Sequence, residues 1–159
     1  MDKKFLFESF EDKQFDAIIH FAAYALAGDS MEHPEKYFSG NIQGGLNLLE
    51  LMRKNKIPNI IFSSTCAIYG APQKLPVTES EKKKPESVYG ESKLMFEKIL
   101  EWYSKLYPIK HINLRYFNAC GAALDGSLGE NHNPETHIIP VAINAVLNNK
   151  PFRLFGNDY

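Results

Sequence analysis

The strongest constraint on the fold is a repeated change of period along the chain. Three short, nearly continuous apolar runs, at 16–22, 59–64 and 111–116, alternate with longer segments whose apolar residues recur every three to four positions. A run such as Asp16-Ala17-Ile18-Ile19-His20-Phe21-Ala22 lacks polar alternation, the pattern of a strand buried on both faces of a parallel sheet. Parallel neighbours need a long crossover, and a helix is the usual one. The order α, β, α, β, α, β, loop, α, β therefore predicts an α/β fold, a doubly wound parallel sheet with helices on both faces and right-handed crossovers.

The helical segments have readable ends. Residues 3–13 carry Phe5, Leu6 and Phe10 on one face, with Asp2 placed as N-cap. Pro34 suits the first turn of a helix over 34–55, where Tyr37, Phe38, Ile42, Leu46, Leu49 and Met52 keep helical spacing. Ser87 is placed to cap a helix over 87–107 that Pro108 stops. A last helix covers 138–148, and 152–155 begins another strand. Residues 28–33 read as loop, and so does 69–87, which holds Pro72, Pro76, Pro85 and three consecutive lysines. Long loops inside compact domains are usually functional.

Composition narrows the function classes. The 159 residues suit one domain core, and 18 basic against 19 acidic residues give a net charge of -1. That balance leaves no electrostatic footprint for nucleic acid or an anionic membrane. No apolar stretch approaches the ~20 residues that cross a bilayer, and Glu8 and Glu11 sit where a signal peptide needs an apolar run. The chain reads as soluble and cytoplasmic. Cys66 and Cys120 show no C-x-x-C spacing and read as free thiols. His20 reads as a core residue, no pair of histidines has metal-ligand spacing, and no metal is expected.

In open α/β sheets ligands bind beyond the carboxyl ends of the strands. Those ends carry Ala22-Ala23, Ser63-Ser64-Thr65 and Phe117-Asn118, and the helix bearing Tyr89 and Lys93 begins in the same region. Four residues apart, Tyr89 and Lys93 lie within roughly 40° of each other on one helix face. A phenol with a pKa near ~10 is a poor base at neutral pH, and an ammonium beside it favours the phenolate. A bare Y-x-x-x-K is a loose motif whose weight comes from its neighbours.

Those neighbours complete the Ser/Thr-Tyr-Lys arrangement of the short-chain dehydrogenases/reductases. The runs HFAAYALAGDSMEHPEKYFSGN, IIFSSTCAIYG, SVYGESK, LRYFNACGA, ETHIIP and LFGNDY, in this order, resemble the UDP-glucose 4-epimerases of the extended branch, the NAD-dependent epimerase/dehydratase family. The resemblance covers nearly the whole chain. It implies a partial Rossmann-type sheet, NAD as cofactor, and interconversion of UDP-glucose and UDP-galactose through a 4-keto sugar. By this resemblance Tyr89 takes the 4-hydroxyl proton, Lys93 lowers the Tyr89 pKa and holds the nicotinamide ribose, and Thr65 bonds the same sugar oxygen, with Ser64 in reserve for the hydroxyl role. It also implies cofactor contacts from Ala22, Asn41, Ser63, Ser64, Tyr89, Lys93 and Phe117. Substrate contacts come from Thr65, Tyr89, Asn118 and His137. The helices at 34–55 and 87–107 would form a homodimer interface in the full-length protein.

Three departures shape the expectation. No G-x-x-G-x-x-G turn occurs, and the chain stops just after LFGNDY, so it reads as an internal fragment lacking the first strands and most of the C-terminal substrate domain: one incomplete NAD-binding domain over 1–159, with the start of a substrate-binding part from about 122. The strand at 16–22 would then present an open apolar edge, giving poor stability or aggregation and little NAD binding. Ala25 stands where many epimerases have Lys, and His137 where many have Asn. The nearest alternatives are another sugar-nucleotide epimerase, such as a UDP-arabinose 4-epimerase, or a 4,6-dehydratase. Dehydratases follow the strand-end Thr with acidic residues, and here Cys66 and Ala67 follow it. An alternative of another class is a non-catalytic remnant or cofactor-sensing partner, which the intact Thr65, Tyr89 and Lys93 oppose.

Overall fold

The computed structural model describes residues 2–11, 13–154 and 156. They fall into two compact units, the first ending at Phe117 and the second starting at Asn118.

The first unit is built on three parallel strands, β1 (Ala17–His20), β2 (Asn59–Thr65) and β3 (Lys110–Tyr116), in the order β1-β2-β3. Register places Ile18 opposite Ile60 and Ile60 opposite His111. The helices are α1 (Lys3–Ser9), α2 (Ala27–Glu32), α3 (Pro34–Tyr37), α4 (Gly44–Lys54) and α5 (Val88–Leu106). Asp2 caps α1, its side chain accepting from the Lys4 and Phe5 amides. Ser87 caps α5 by accepting from the Gly90 amide at 3.1 Å.

The core lies where α4 and α5 pack on β2. Leu48, Leu49, Leu51 and Met52 of α4 meet Ile60 and Phe62 of β2 and Phe96 and Leu100 of α5, with Leu6, Phe7 and Phe10 closing the α1 side. Gly45 allows this approach, since a Cβ there would meet the Phe96 ring at 2.2 Å. Burying such side chains contributes about 1.5–3 kcal/mol apiece.

Several expectations need correction. The parallel α/β sheet is as expected, but its strands are not buried on both faces among the described residues. The described helices that meet the sheet cover one face, and Ile19, Ile112 and Leu114 remain 57%, 59% and 38% exposed on the other. Continuous apolar runs alone could not distinguish a covered face from an uncovered one. Residues 27–32 form α2, a six-residue helix too short to leave a periodic pattern. The helix expected over 34–55 is interrupted by a π-helical stretch, Phe38–Gln43. That stretch turns buried Asn41 inward, and such bulges frequently mark functional positions. The strand expected at 152–155 is absent at 152–154, and Phe155 lies outside the described residues.

In the second unit the main element is α6 (Ile138–Leu147), preceded by irregular chain. Cys66 and Cys120 are free thiols. Among the described residues no helix is long and apolar enough to cross a membrane.

Candidate active site

The candidate site lies where β2 ends and α5 begins. Thr65, the last residue of β2, leads into a 3-10 turn, Cys66–Tyr69, and its Oγ1 accepts from the Ala67 amide at 3.2 Å. The start of α5 is pressed against that turn. At Gly90 a Cβ would stand 2.7 Å from the Ala67 carbonyl oxygen, so only glycine permits the approach. The Tyr89 amide donates to Ser30 Oγ of α2 at 3.0 Å, which ties the first turn of α5 to a second helix. Ser30 is fully buried and went unnoticed in the sequence, where it sits in a stretch without periodicity.

Tyr89 and Thr65 are brought together as expected. Burial pushes the Tyr89 phenol above its ordinary pKa, while the Thr65 hydroxyl beside it acts in the opposite direction. Lys93 is buried one turn further along α5, and burial lowers its pKa to about 8. Its Nζ donates to the Ser63 carbonyl oxygen at 2.8 Å and lies 4.9 Å from the Phe62 ring centroid and 5.8 Å from that of Tyr89. The expected depression of the Tyr89 pKa by Lys93 is therefore not observed. The ammonium is directed at β2, and desolvation of the phenol dominates.

The hydroxyl residues of β2 separate into different roles. Ser64 Oγ donates to Glu97 Oε1 at 2.6 Å on the helix-covered side of the sheet, so Thr65 carries the hydroxyl nearest Tyr89. Glu97 in turn pairs with Arg115 of β3, through Nε at 3.0 Å and Nη2 at 2.8 Å. Arg115 Nη1 donates to the Tyr69 hydroxyl at 2.7 Å. The Glu97 side chain is 2% exposed, and this charged chain fastens α5 to β2, β3 and the 3-10 turn. Glu97 was not singled out in the sequence, although it follows Lys93 by four residues and helical spacing could have found it; its partner on β3 offers no such signal.

Asn41 is buried, and its amide is engaged on both sides. It accepts from the Tyr24 amide at 2.9 Å and donates to the Tyr24 carbonyl at 3.1 Å and to Ser92 Oγ at 3.0 Å. It thereby joins the segment after β1 to α5 beside Lys93. Ala22 is exposed just past the end of β1. Phe117, just past β3 and 60% exposed, lines a cleft of about 450 Å³ with Tyr69, Val77, Asn113 and Arg115. Asn113 Oδ1, on the same cleft, is buried and has no hydrogen-bond partner among the described residues. Because the strands are parallel, Ala22, Thr65 and Phe117 follow the same carboxyl edge. Asn118 and His137 belong to the second unit, where His137 is the N-cap residue of α6.

Lys93 bears on cofactor binding. Its ammonium has three N–H donors, of which Ser63 engages one among the described residues, so the residues present fit a ribose diol next to Tyr89.

Comparison with known proteins points the same way. The model of the NAD dependent epimerase/dehydratase family matches residues 1–158. A UDP-glucose 4-epimerase of Streptococcus mutans is 45% identical, over 99% of this chain and 48% of its own length. The crystal structure of UDP-glucose 4-epimerase from Brucella ovis in complex with NAD is 45% identical with a TM-score of 0.87, covering 93% of this chain and 46% of that one. A UDP-glucose 4-epimerase from Thermotoga maritima, solved with UDP-glucose, is 32% identical with a TM-score of 0.84, covering 98% and 49%. The chain spans about half the length of the curated relatives it matches.

Proposed function

The chain belongs to the NAD dependent epimerase/dehydratase family, and on that premise we propose that it carries the proton-handling part of a UDP-glucose 4-epimerase. The observation that carries the reading is the half-buried Tyr89 phenol with the Thr65 hydroxyl beside it and Lys93 one turn away. The chemistry that NAD supplies when bound is acceptance of the hydride from sugar C4 and its return.

In this reading Tyr89 Oη takes the proton of the 4-hydroxyl and gives it back after the 4-keto sugar has turned. Thr65 holds the same sugar oxygen. Lys93, cationic at neutral pH because its pKa of about 8 lies above 7, binds the nicotinamide ribose. Asn41 keeps the Tyr24 backbone in place at the edge where Ala22, Ser63, Ser64 and Phe117 border the cofactor. Asn118 and His137 serve the sugar nucleotide. A dehydratase would need a further acid after Thr65. The Cys66 thiol is instead pushed up by burial, and Ala67 offers only its amide, so epimerisation is the better fit.

A homodimer is the assembly this reading favours. Met95, Trp102 and Leu106 form an exposed apolar stripe on α5, 38%, 62% and 66% exposed, at the spacing of a helix–helix seam.

The test is a chimera in which this chain replaces the matching segment of the Streptococcus mutans enzyme. Conversion of UDP-galactose to UDP-glucose is expected, and Tyr89→Phe should lower kcat by about 10²–10⁴-fold. No turnover from a folded, NAD-retaining chimera, or a 4-keto-6-deoxy product, would sink the proposal.

A further inference from the structure

Four side chains converge in the irregular segment before α6. Glu130, His132, Glu135 and His137 each offer one carboxylate oxygen or imidazole nitrogen, and these atoms lie within 4.8 Å of one another. The expectation of no metal overlooked that His132 and His137 are separated by four residues, within the H-x3–5-H spacing of zinc ligands. The fold of the loop brings them together. His132 Nδ1 is 3.3 Å from Glu130 Oε1 and 3.3 Å from Glu135 Oε2. His137 Nδ1 is in close contact with Glu130 Oε1. The two imidazoles meet edge to face with centroids 4.7 Å apart. Glu135 is further fixed by the Thr136 and His137 amides, both donating to its Oε1 at 2.9 Å.

We propose that Glu130, His132, Glu135 and His137 form a binding site for a divalent transition-metal ion of the zinc class. Two donors each ~2.0–2.1 Å from zinc at a tetrahedral angle lie roughly 3.3–3.4 Å apart. The two His132 separations have that length; the His137–Glu130 pair is closer and the whole set spans up to 4.8 Å, so the side chains would have to readjust around an ion. Imidazole and carboxylate together suit zinc, cobalt or nickel, whereas magnesium and calcium take six or more ligands, nearly all oxygen. Two carboxylates balance the charge of a divalent ion once both imidazoles are neutral. An ion there would tie residues 130–137 to the start of α6. The site shares His137 with the epimerase reading, but ion binding itself needs neither cofactor nor substrate, so the two can fail separately.

The competing occupant is the proton: with both imidazoles charged, the same four residues form an ion-paired cluster. Calorimetric titration of the metal-stripped 159-residue chain with Zn(II) alone, and with Co(II) as an optical probe, separates the two. One equivalent is expected to bind, and Co(II) should give the intense visible absorption of four-coordinate geometry. His132→Ala and Glu135→Gln should each weaken binding at least about tenfold, since loss of even a second-shell partner costs that much. His33→Ala, outside the cluster, should leave affinity unchanged, with the far-ultraviolet circular dichroism of all three variants intact. Absence of single-equivalent binding, a weak six-coordinate Co(II) spectrum, or affinity indifferent to His132→Ala and Glu135→Gln overturns the proposal.

Discussion

His20 shows at the scale of one residue how a buried ionisable group ties this fold to pH. It is 6% exposed, packed against the rings of Phe62 and Phe96. Desolvation, helped by the Lys93 charge, lowers its pKa to about 4 from 6.5. Between those values the unfolded chain binds a proton that the folded chain refuses, so stability is full above about pH 6.5 and falls as pH drops towards 4. The loss reaches about 3 kcal/mol. Urea denaturation between pH 4 and 7 should show this slope, and His20→Gln should flatten it; an unchanged slope refutes the assignment. The apolar run around His20 made its burial legible. Asn41 was harder, because neither propensity nor period announces a π-helical stretch. Its cofactor role therefore rested on resemblance, while its bonds to Tyr24 and Ser92 emerged only in three dimensions.

Among the elements, α5 does most to organise the site. One face delivers Tyr89, Lys93 and Glu97 at successive turns, spaced four apart; Tyr89 and Lys93 were legible from that spacing, whereas Glu97 was not singled out. The cap at Ser87 and the stop at Pro108 were equally readable, because local residues set them. What the spacing could not convey is how closely α5 approaches the 3-10 turn. With 2.7 Å between a hypothetical Gly90 Cβ and the Ala67 oxygen, Gly90→Ala should shift the first turn of the helix. Overpacking of this kind costs about 1–3 kcal/mol. Thermal melts should reveal that loss, and tyrosine ultraviolet difference titration should show an altered Tyr89 environment. A variant with wild-type values in both would mean that the helix start yields freely. Contacts between distant segments, such as Glu97 with Arg115, leave no local trace, and this is why half of the network went unread.

For the molecule as a whole, the uncovered sheet face dominates solution behaviour. Register aligns Ile19, Ile61 and Ile112 in one row across all three strands, and β1 and β3 each have a free edge in the described sheet. Contiguous apolar surface next to unpaired strand edges favours association. The chain should bind a hydrophobic dye and self-associate in gel filtration, and Ile112→Lys should reduce both without loss of circular dichroism. A monomer that melts cooperatively and binds no dye contradicts this. The alternation of periods made the parallel sheet legible, yet it could not tell which face would be covered, because an isoleucine facing a helix and one facing solvent look alike in sequence. The same sheet also sets an order of events in time. Ala17 pairs with Asn59 and Asn59 with Lys110, so the central strand gains neither neighbour until dozens of intervening residues have been gathered in. Closing such loops is entropically uphill and is repaid only by distant contacts. Local contacts of α4 and α5 with β2 are therefore expected to precede pairing of its flanking strands, so that the candidate site edge, which needs all three strands, forms late.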